Sequence, residues 1–568
     1  MRASELEQCD LVMKGGITSG VVYPRAVMVL GERYRFRNIG GTSAGAIAAA
    51  VTAAAEYGRQ TGATEDLGRI QNLVSDLTQR EFLLGLFQPA PENQPLWEVA
   101  RAATEPGSAW SRIERAVVAM LHARRTTALI GFACLLALVV LAGVGFATLD
   151  VSTAVLAAVI AVLLAILVGA ATVAIAAWGL GRAGYKAIRA TGFGFCPGVR
   201  QKGHEQPGLT DWLHGHIQAC AGLGLDDPLT FRMLEAEDVQ VALEMLTTDL
   251  SYARPLRCRR DLAGYSFIAP EFLALLPEPV VRHMAAVADG VPFDDADLET
   301  RRPRPMPVED LPVLAAVRLS LSFPGLLSAV PLYRDGARHL FSDGGISSNF
   351  PIHFFDAWFT SRPTFGLDLA EYPNTPDAEY VVLPTDPETP TQPRWSDADG
   401  LVDFLVRIKD TMQNWRDSTQ AELPGYRERI CQIRLTPDQG GLNLDMDPRT
   451  IARLIERGEE AGRKLRDEFR FEEHRWIRFL TAMRLLEPGL QDVAAKYDDF
   501  DVELAAGMPA ARSFRTAYPA DWCPPAAEAT LKLLAVAGEW GPPPKKKFTF
   551  DAEGGPTPRA VMRIGPEC

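Results

Sequence analysis

The chain has no CxxC pair among its eight cysteines, so neither a zinc ribbon nor a dithiol redox motif is supported. Its opening stretch, MRASELEQCD, has no apolar core and reads as something other than a secretory signal peptide. Free thiols in a reducing compartment are the expectation. Excess positive charge is also missing. Lys and Arg number 58 against 71 Asp and Glu, a net charge of -13, which argues against a general nucleic-acid binder. No GxxxxGK[ST] loop and no internal repeat occurs. What is present is globular in bulk: 47% hydrophobic and 23% charged residues over 568 positions. That length implies two or three structural units, or one large domain with insertions. The mean hydropathy of -0.01 excludes a polytopic membrane protein but leaves room for one or two spans.

Charge is nearly absent from one stretch. From Thr126 to Gly181 the single charged residue is Asp150. It separates apolar runs at 126–149 and 151–180, each beyond the roughly 20 helical residues that cross a bilayer core. LDVST between them supplies a polar turn, so the two spans form an antiparallel hairpin. Arg112, Arg115, Arg124 and Arg125 precede it, and Arg182, Lys186 and Arg189 follow it. Both flanks are therefore expected on the cytoplasmic side. Trp178 suits an interfacial anchor. Ala157, Ala161, Ala165 and Gly169 line up at i+4 spacing and suit close helix packing.

Elsewhere the pattern is of alternating strands and helices. Leu11–Met13 and Arg35–Ile39 read as buried strands, each ending at a glycine pair, with helices over Val21–Leu30 and Ala44–Tyr57. Strand, glycine turn, helix, repeated, signals an α/β sheet. Val239–Thr247 reads as helix or strand, Ala315–Leu321 as a helix ended by Pro324, and Phe365–Leu369 as a strand. Proline-rich stretches at 303–312 and 373–393 read as loops, Pro448–Phe471 as one charged helix, and 541–568 as a tail.

GTSAG at 41–45 fits G-x-S-x-G, with a strand signal before it and a helix signal after it. In a nucleophile elbow the serine sits on a strained strand-to-helix turn, and the flanking glycines, here Gly41 and Gly45, remove side-chain clashes. Ser43 is the candidate nucleophile. KGGITSG at 14–20 is a second glycine turn, whose successive N–H groups suit an oxyanion hole beside a serine. A histidine triad is open to His353 or His474 with Asp343. That topology, however, lays down several strands before its elbow, and here about two precede Ser43. A Ser–Asp dyad is the better reading, with Asp343 of FSDGGISSNFP as the base, held by the turn Gly344–Gly345. Weaker candidates are a metal at His214, His216 and Cys220, calcium at Asp445 and Asp447, and lipid attraction by Lys545–Lys547.

Three of these motifs together, GGI…G at 15–20, GTSAG at 41–45 and DGG at 343–345, resemble the patatin-like phospholipases. AAVRLSLSFPGLLSAVPL before Asp343 and NFP after it are similar too, as is GLNLDMDPRTIARLIERG near 441–458. The resemblance implies an α/β fold: a three-layer α/β/α sandwich, here interrupted by the transmembrane hairpin. It implies a serine acyl-hydrolase in which Ser43 attacks, Asp343 is the base, and Gly15, Gly16 and Ile17 stabilise the oxyanion through backbone N–H groups. The family's turn is a glycine triplet followed by a basic residue and glycine. Here Lys14 precedes two glycines, and Thr18–Ser19 precede Gly20.

The organisation expected is a first core half at 1–110, the hairpin insertion at 111–190, a second core half at 191–470, and a helical extension with tail at 471–568. The expected function is a membrane-anchored hydrolase of phospholipid or other lipid esters, embedded in the inner membrane with its catalytic domain cytoplasmic. Its partners are membrane lipid and the bilayer, not nucleic acid, and neither cofactor nor metal is expected. Alternatives are a lysophospholipase, a thioesterase or a neutral-lipid esterase on the same dyad, or a non-catalytic membrane-anchored effector.

Overall fold

The computed structural model describes residues 6–540, apart from 17, 65–66, 80, 105–107, 149, 289, 291–298, 374–377, 385–399, 437–438, 441–442, 445 and 497–522. Ile17, Asp445, the Lys545–Lys547 run and the expected tail lie outside the described residues. The chain forms two compact units. One comprises Met1–Ser75, Leu234–Glu244 and Gly345–Cys568, the other Asp76–Met233 and Met245–Gly344. In chain order the strands are β1 (Glu7–Met13), β2 (Tyr34–Gly41), β3 (Gly194–Cys196), β4 (Ala242–Asp249), β5 (Arg254–Arg257), β6 (Ser266–Ile268) and β7 (Pro303–Pro305). They continue with β8 (Gly325–Leu327), β9 (Val330–Arg334), β10 (Ala337–Asp343), β11 (Thr364–Glu371), β12 (Val381–Val382) and β13 (Ile430–Leu435).

In the first unit the strand order is β12-β13-β11-β1-β2. β1, β2, β11 and β13 run parallel, and β12 closes one edge antiparallel. Parallel strands are buried on both faces, which is why β1 and β11 carry nearly unbroken buried runs. Val12 points into a cluster with Phe350, Ile352, Ala421 and Ile430, so the last turn of the helix Leu401–Ala421 reaches that face. Cys9 points the opposite way. Burial, then the carboxylates of Asp10 and Glu56, push its thiol well above the usual range, and Glu56 belongs to the helix Ala44–Thr61. Helices on both faces of a sheet make the α/β/α layering that the motifs imply.

The second unit is antiparallel, with order β4-β10-β9-β6-β7 and β5 beside β4. The first three residues of β4 belong to the other unit. β3 and β8 form a separate parallel pair. Here the proline-rich stretch at 303–312, expected to be wholly loop, begins with β7. Prolines are tolerated there because β7 is an edge strand. The 373–393 stretch likewise contains β12, a two-residue edge strand paired to β13. The helix expected over Pro448–Phe471 ends at Arg463. A π-helical turn follows at Lys464–Glu468, and a new helix begins at Phe471.

The two apolar runs are helices, Arg125–Thr148 and Val151–Ala190. Asp150 caps the second, its carboxylate accepting from the Thr153 N–H. At 1.5 Å per residue the 40-residue second helix is about 60 Å long, twice a bilayer core. Ala157, Ala161, Ala165 and Gly169 are partly covered, whereas Leu156, Ile160, Leu163 and Leu167 beside them are exposed. The small-residue line is therefore the less exposed side, although a Cβ on Gly169 would meet nothing within 4 Å. Only 6% of the residues in the apolar window of each helix are buried. These helices are long and apolar enough to cross a membrane, and they are not a buried soluble core. At their charged end the Arg124 guanidinium bonds the Gly179 carbonyl, and Met120 packs on Ala176 and Leu180.

Candidate active site

Ser43 stands between β2 and the helix Ala44–Thr61 at φ 57°, ψ -131°. A serine gains nothing locally from a positive φ, so the surrounding structure imposes it. Side chains at Gly41 and Gly45 have no room: a Cβ on Gly41 would collide with the Gly45 carbonyl, and one on Gly45 with the Met13 carbonyl. The elbow closes with N–H bonds from Gly45 to the Thr42 carbonyl and from Ala46 to the Ser43 carbonyl, both 2.9 Å. The helix that follows points its positive end at Ser43.

The glycine turn at Gly15–Gly16 leaves the carboxyl end of β1 beside this elbow. A Cβ on Gly15 would lie 2.8 Å from Ser43 Cβ and 2.9 Å from the Thr42 carbonyl oxygen. The Gly15 N–H donates to the Asn349 carbonyl at 2.9 Å, so it is already committed. Lys14 fixes the strand end. Its ammonium donates to Asp368 Oδ1 at 2.8 Å and the Leu369 carbonyl at 2.9 Å, and Tyr23 donates its hydroxyl to the Lys14 carbonyl at 2.5 Å.

Asn349 is held in turn by Asp417, which no sequence motif announced. The Asp417 carboxylate accepts from the Ser348 hydroxyl at 3.0 Å and from the N–H groups of Asn349 (2.6 Å) and Phe350 (2.8 Å). Burial raises the pKa of this carboxyl above its usual range, against the lowering pull of those three donors and Lys14. The Thr42 hydroxyl also donates to the Asn349 carbonyl, at 3.1 Å.

In the second unit Asp343 ends β10, opposite Thr247 of β4. Its N–H donates to the Ser322 carbonyl at 3.0 Å, and its carbonyl accepts from the Thr248 hydroxyl at 3.0 Å. A Cβ on Gly344 would collide with the Leu246 carbonyl, so the Asp-Gly turn is sterically required. Arg318 holds the segment that supplies Ser322. This fully buried guanidinium donates to the Pro197 carbonyl at 2.9 Å, the Ser328 carbonyl at 2.8 Å and the Ser322 hydroxyl at 2.5 Å. Burial lowers its pKa to about 10, which leaves it cationic at neutral pH.

Two weaker motifs have structural roles. On the helix Leu209–Ala221, His214 bonds the Leu225 carbonyl and His216 bonds Asp76, on opposite sides of the helix. Asp447 caps the helix Pro448–Arg463.

His474, open as a triad base, lies at the wrong end of the strands. It packs on Phe469, which packs on Phe365, and its neighbour Arg429 bonds the Thr364 carbonyl at the amino end of β11. Ser43 stands beyond the carboxyl ends. Burial, with Arg429 and Arg478 close by, lowers the His474 pKa to about 3. The folded state therefore excludes a proton that the unfolded chain binds below its ordinary value near 6.5. Stability should fall as pH drops through that window, by about 2 kcal/mol at pH 5 from this group. Melting of the detergent-solubilised chain at pH 7 and pH 5 checks this: His474→Gln should flatten the slope, and an unchanged slope would refute it.

A serine on a strained strand-to-helix elbow, in an α/β sheet with helices on both faces, defines the class of serine-elbow hydrolases. The patatin-like phospholipase family model matches residues 11–130. A protein of Rhizobium meliloti (strain 1021) described as an RpoH suppressor is 35% identical over 578 residues, which span 87% of this chain and 88% of that protein. The chain belongs to the patatin-like phospholipase family and is, at that level, a lipid hydrolase or esterase.

Proposed function

We propose that the chain is a membrane-anchored phospholipid acyl-hydrolase that works through Ser43 and Asp343. The observation that carries this reading is Ser43 at positive φ on an elbow where both flanking glycines are sterically required. Asp343 takes the Ser43 hydroxyl proton as the oxygen attacks the ester carbonyl, then gives that proton to the departing lysophospholipid alkoxide. A water deprotonated by Asp343 cleaves the acyl-enzyme, freeing a fatty acid and restoring the serine. Of the expected oxyanion donors Gly15, Gly16 and Ile17, the Gly15 N–H is bound to the Asn349 carbonyl, so among the described residues Gly16 is the donor the turn offers, and Gly15 serves as the hinge between turn and elbow.

The hairpin spans the inner membrane with both ends cytoplasmic. Support comes from two helices of sufficient length and from Arg124, Arg125, Arg182, Lys186 and Arg189 at their common end. Tethering confines enzyme and substrate to one surface and raises their effective concentration.

The test is turnover by the purified full chain of a phospholipid labelled in one acyl chain, beside a fatty acyl thioester and a triacylglycerol. Release of labelled fatty acid, lost in Asp343→Asn, is expected. Preference for the thioester or the triacylglycerol would replace phospholipid as substrate, and activity retained in Asp343→Asn would remove the dyad.

A further inference from the structure

The helix Leu401–Ala421 meets the first unit's sheet through Ala421 in its last turn, and another side of it carries an exposed apolar stripe. Phe404, Ile408, Met412 and Trp415 are 53%, 42%, 73% and 60% exposed. At 100° per residue these four fall within an arc of about 80°. Asp417, which anchors the helix to Ser348–Phe350, lies on the opposite side. Arg407 and Arg416 flank the stripe, one on each edge, while the acidic Asp410 falls on the Asp417 side.

Two contacts fix where the stripe lies. Ala421 packs with Val12, the penultimate residue of β1, and Ile430, the first of β13. Asp417, one turn earlier, binds the turn that receives the Gly15 N–H, just past the end of β1. From Ala421 to Asp417 the helix therefore runs toward the carboxyl end of β1, and residues 401–416 are about 24 Å of further helix beyond that point. That is the end where Ser43 stands.

We propose that this projecting half-helix is the surface on which the first unit meets a lipid bilayer, lying in the headgroup layer with Phe404, Ile408, Met412 and Trp415 inserted. The chemistry fits a lipid surface: a narrow apolar stripe, a tryptophan and a methionine at its most exposed positions, cations on its edges and carboxylates behind. Docking there brings acyl chains to the strand ends that carry the elbow. The inference rests on the reading of Ser43 as nucleophile only for its consequence in catalysis. The docking itself has an independent measurement.

The full chain is reconstituted in vesicles of phosphatidylethanolamine and phosphatidylglycerol, with and without brominated acyl chains, as wild type, as Trp415→Phe and as a Phe404→Gln/Met412→Gln/Trp415→Gln triple variant. Glutamine keeps helix propensity while removing the apolar face. Bromolipid quenching should contain a component in wild type that Trp415→Phe lacks. The triple variant should hydrolyse bilayer phospholipid about tenfold more slowly and a water-soluble short-chain ester at the wild-type rate. Quenching identical in wild type and Trp415→Phe overturns the inference, as does equal loss on both esters. A Trp415 unreachable by bromolipid in a chain that sediments as a dimer, monomeric in the triple variant, assigns the stripe to a second copy and also overturns it. Quenching of Trp415 with neither ester turned over by wild type upholds the docking surface and removes the hydrolase reading instead.

Discussion

Ser43→Ala is expected to lower ester hydrolysis by roughly five to six orders of magnitude, the scale on which a serine enzyme loses its nucleophile. Alanine offers no oxygen to the acyl group, so no covalent intermediate forms. The substitution is also conservative for the fold. Ser43 keeps its φ of 57° because the elbow dictates it, and alanine at that φ is as strained as serine. The folded variant should therefore bind membrane and melt like wild type. A fluorophosphonate probe makes the check direct. The serine oxygen displaces fluoride and forms a stable phosphonate ester, so label on the peptide containing Ser43 is expected in wild type and lost in the variant. Because Ser43 and Asp343 act as one unit in the proposed reaction, Ser43→Ala/Asp343→Asn should be no slower than Ser43→Ala alone. Additive losses would mean that Asp343 serves some other step.

The strain itself predicts a second property of the same position. Ser43→Gly is just as inactive but relieves the positive φ, and it should stabilise the folded chain by about 1 kcal/mol. A site that gains stability by losing its side chain is one held in place for chemistry rather than for folding. If glycine proves destabilising, the elbow is not strained and the case for Ser43 weakens.

The parts of the molecule legible in the sequence are those where one residue type admits one solution. The elbow was readable because Gly41 and Gly45 sit where a Cβ meets backbone, and Asp343 because Gly344 does the same at the next turn. The two long apolar helices were legible because their uncharged runs exceed the roughly 20 residues that a bilayer core requires. The edge strands were not. β12 has two residues and β7 is Pro-Arg-Pro, so neither carries a period, and pairing with a neighbour rather than propensity makes them strands. Asp417 and Arg318 were hidden for a different reason. Each looks like an ordinary charge in a helix, and its role appears only when the fold carries Ser348–Phe350 or Pro197 up to it. Which of the glycine turn's N–H groups is occupied depended on Asn349, more than three hundred positions away in the chain.

Gly15→Ala is expected to cost at least a hundredfold in turnover while leaving the chain folded. Three segments converge on the space this glycine leaves: the end of β1, the elbow at Thr42–Ser43, and Asn349. The added methyl would collide with the Asn349 side-chain oxygen and would sit 2.8 Å from Ser43 Cβ and 2.9 Å from the Thr42 carbonyl oxygen. The amide of Asn349 can rotate away, but the Thr42 carbonyl is backbone and cannot. The relief left is a shift of the elbow against the glycine turn, which moves Ser43 relative to the proposed oxyanion donor at Gly16. A displacement near 1 Å costs about a hundredfold when attack and oxyanion binding must coincide. The loss should fall on kcat, because what moves is the attacking serine itself. Asn349→Ala in the same chain removes one of the three obstructions, so Gly15→Ala/Asn349→Ala should recover part of the activity. A Gly15→Ala enzyme with full kcat would show that the glycine turn does not set the position of Ser43, and the oxyanion donors would then have to be sought outside the Gly15–Ile17 turn.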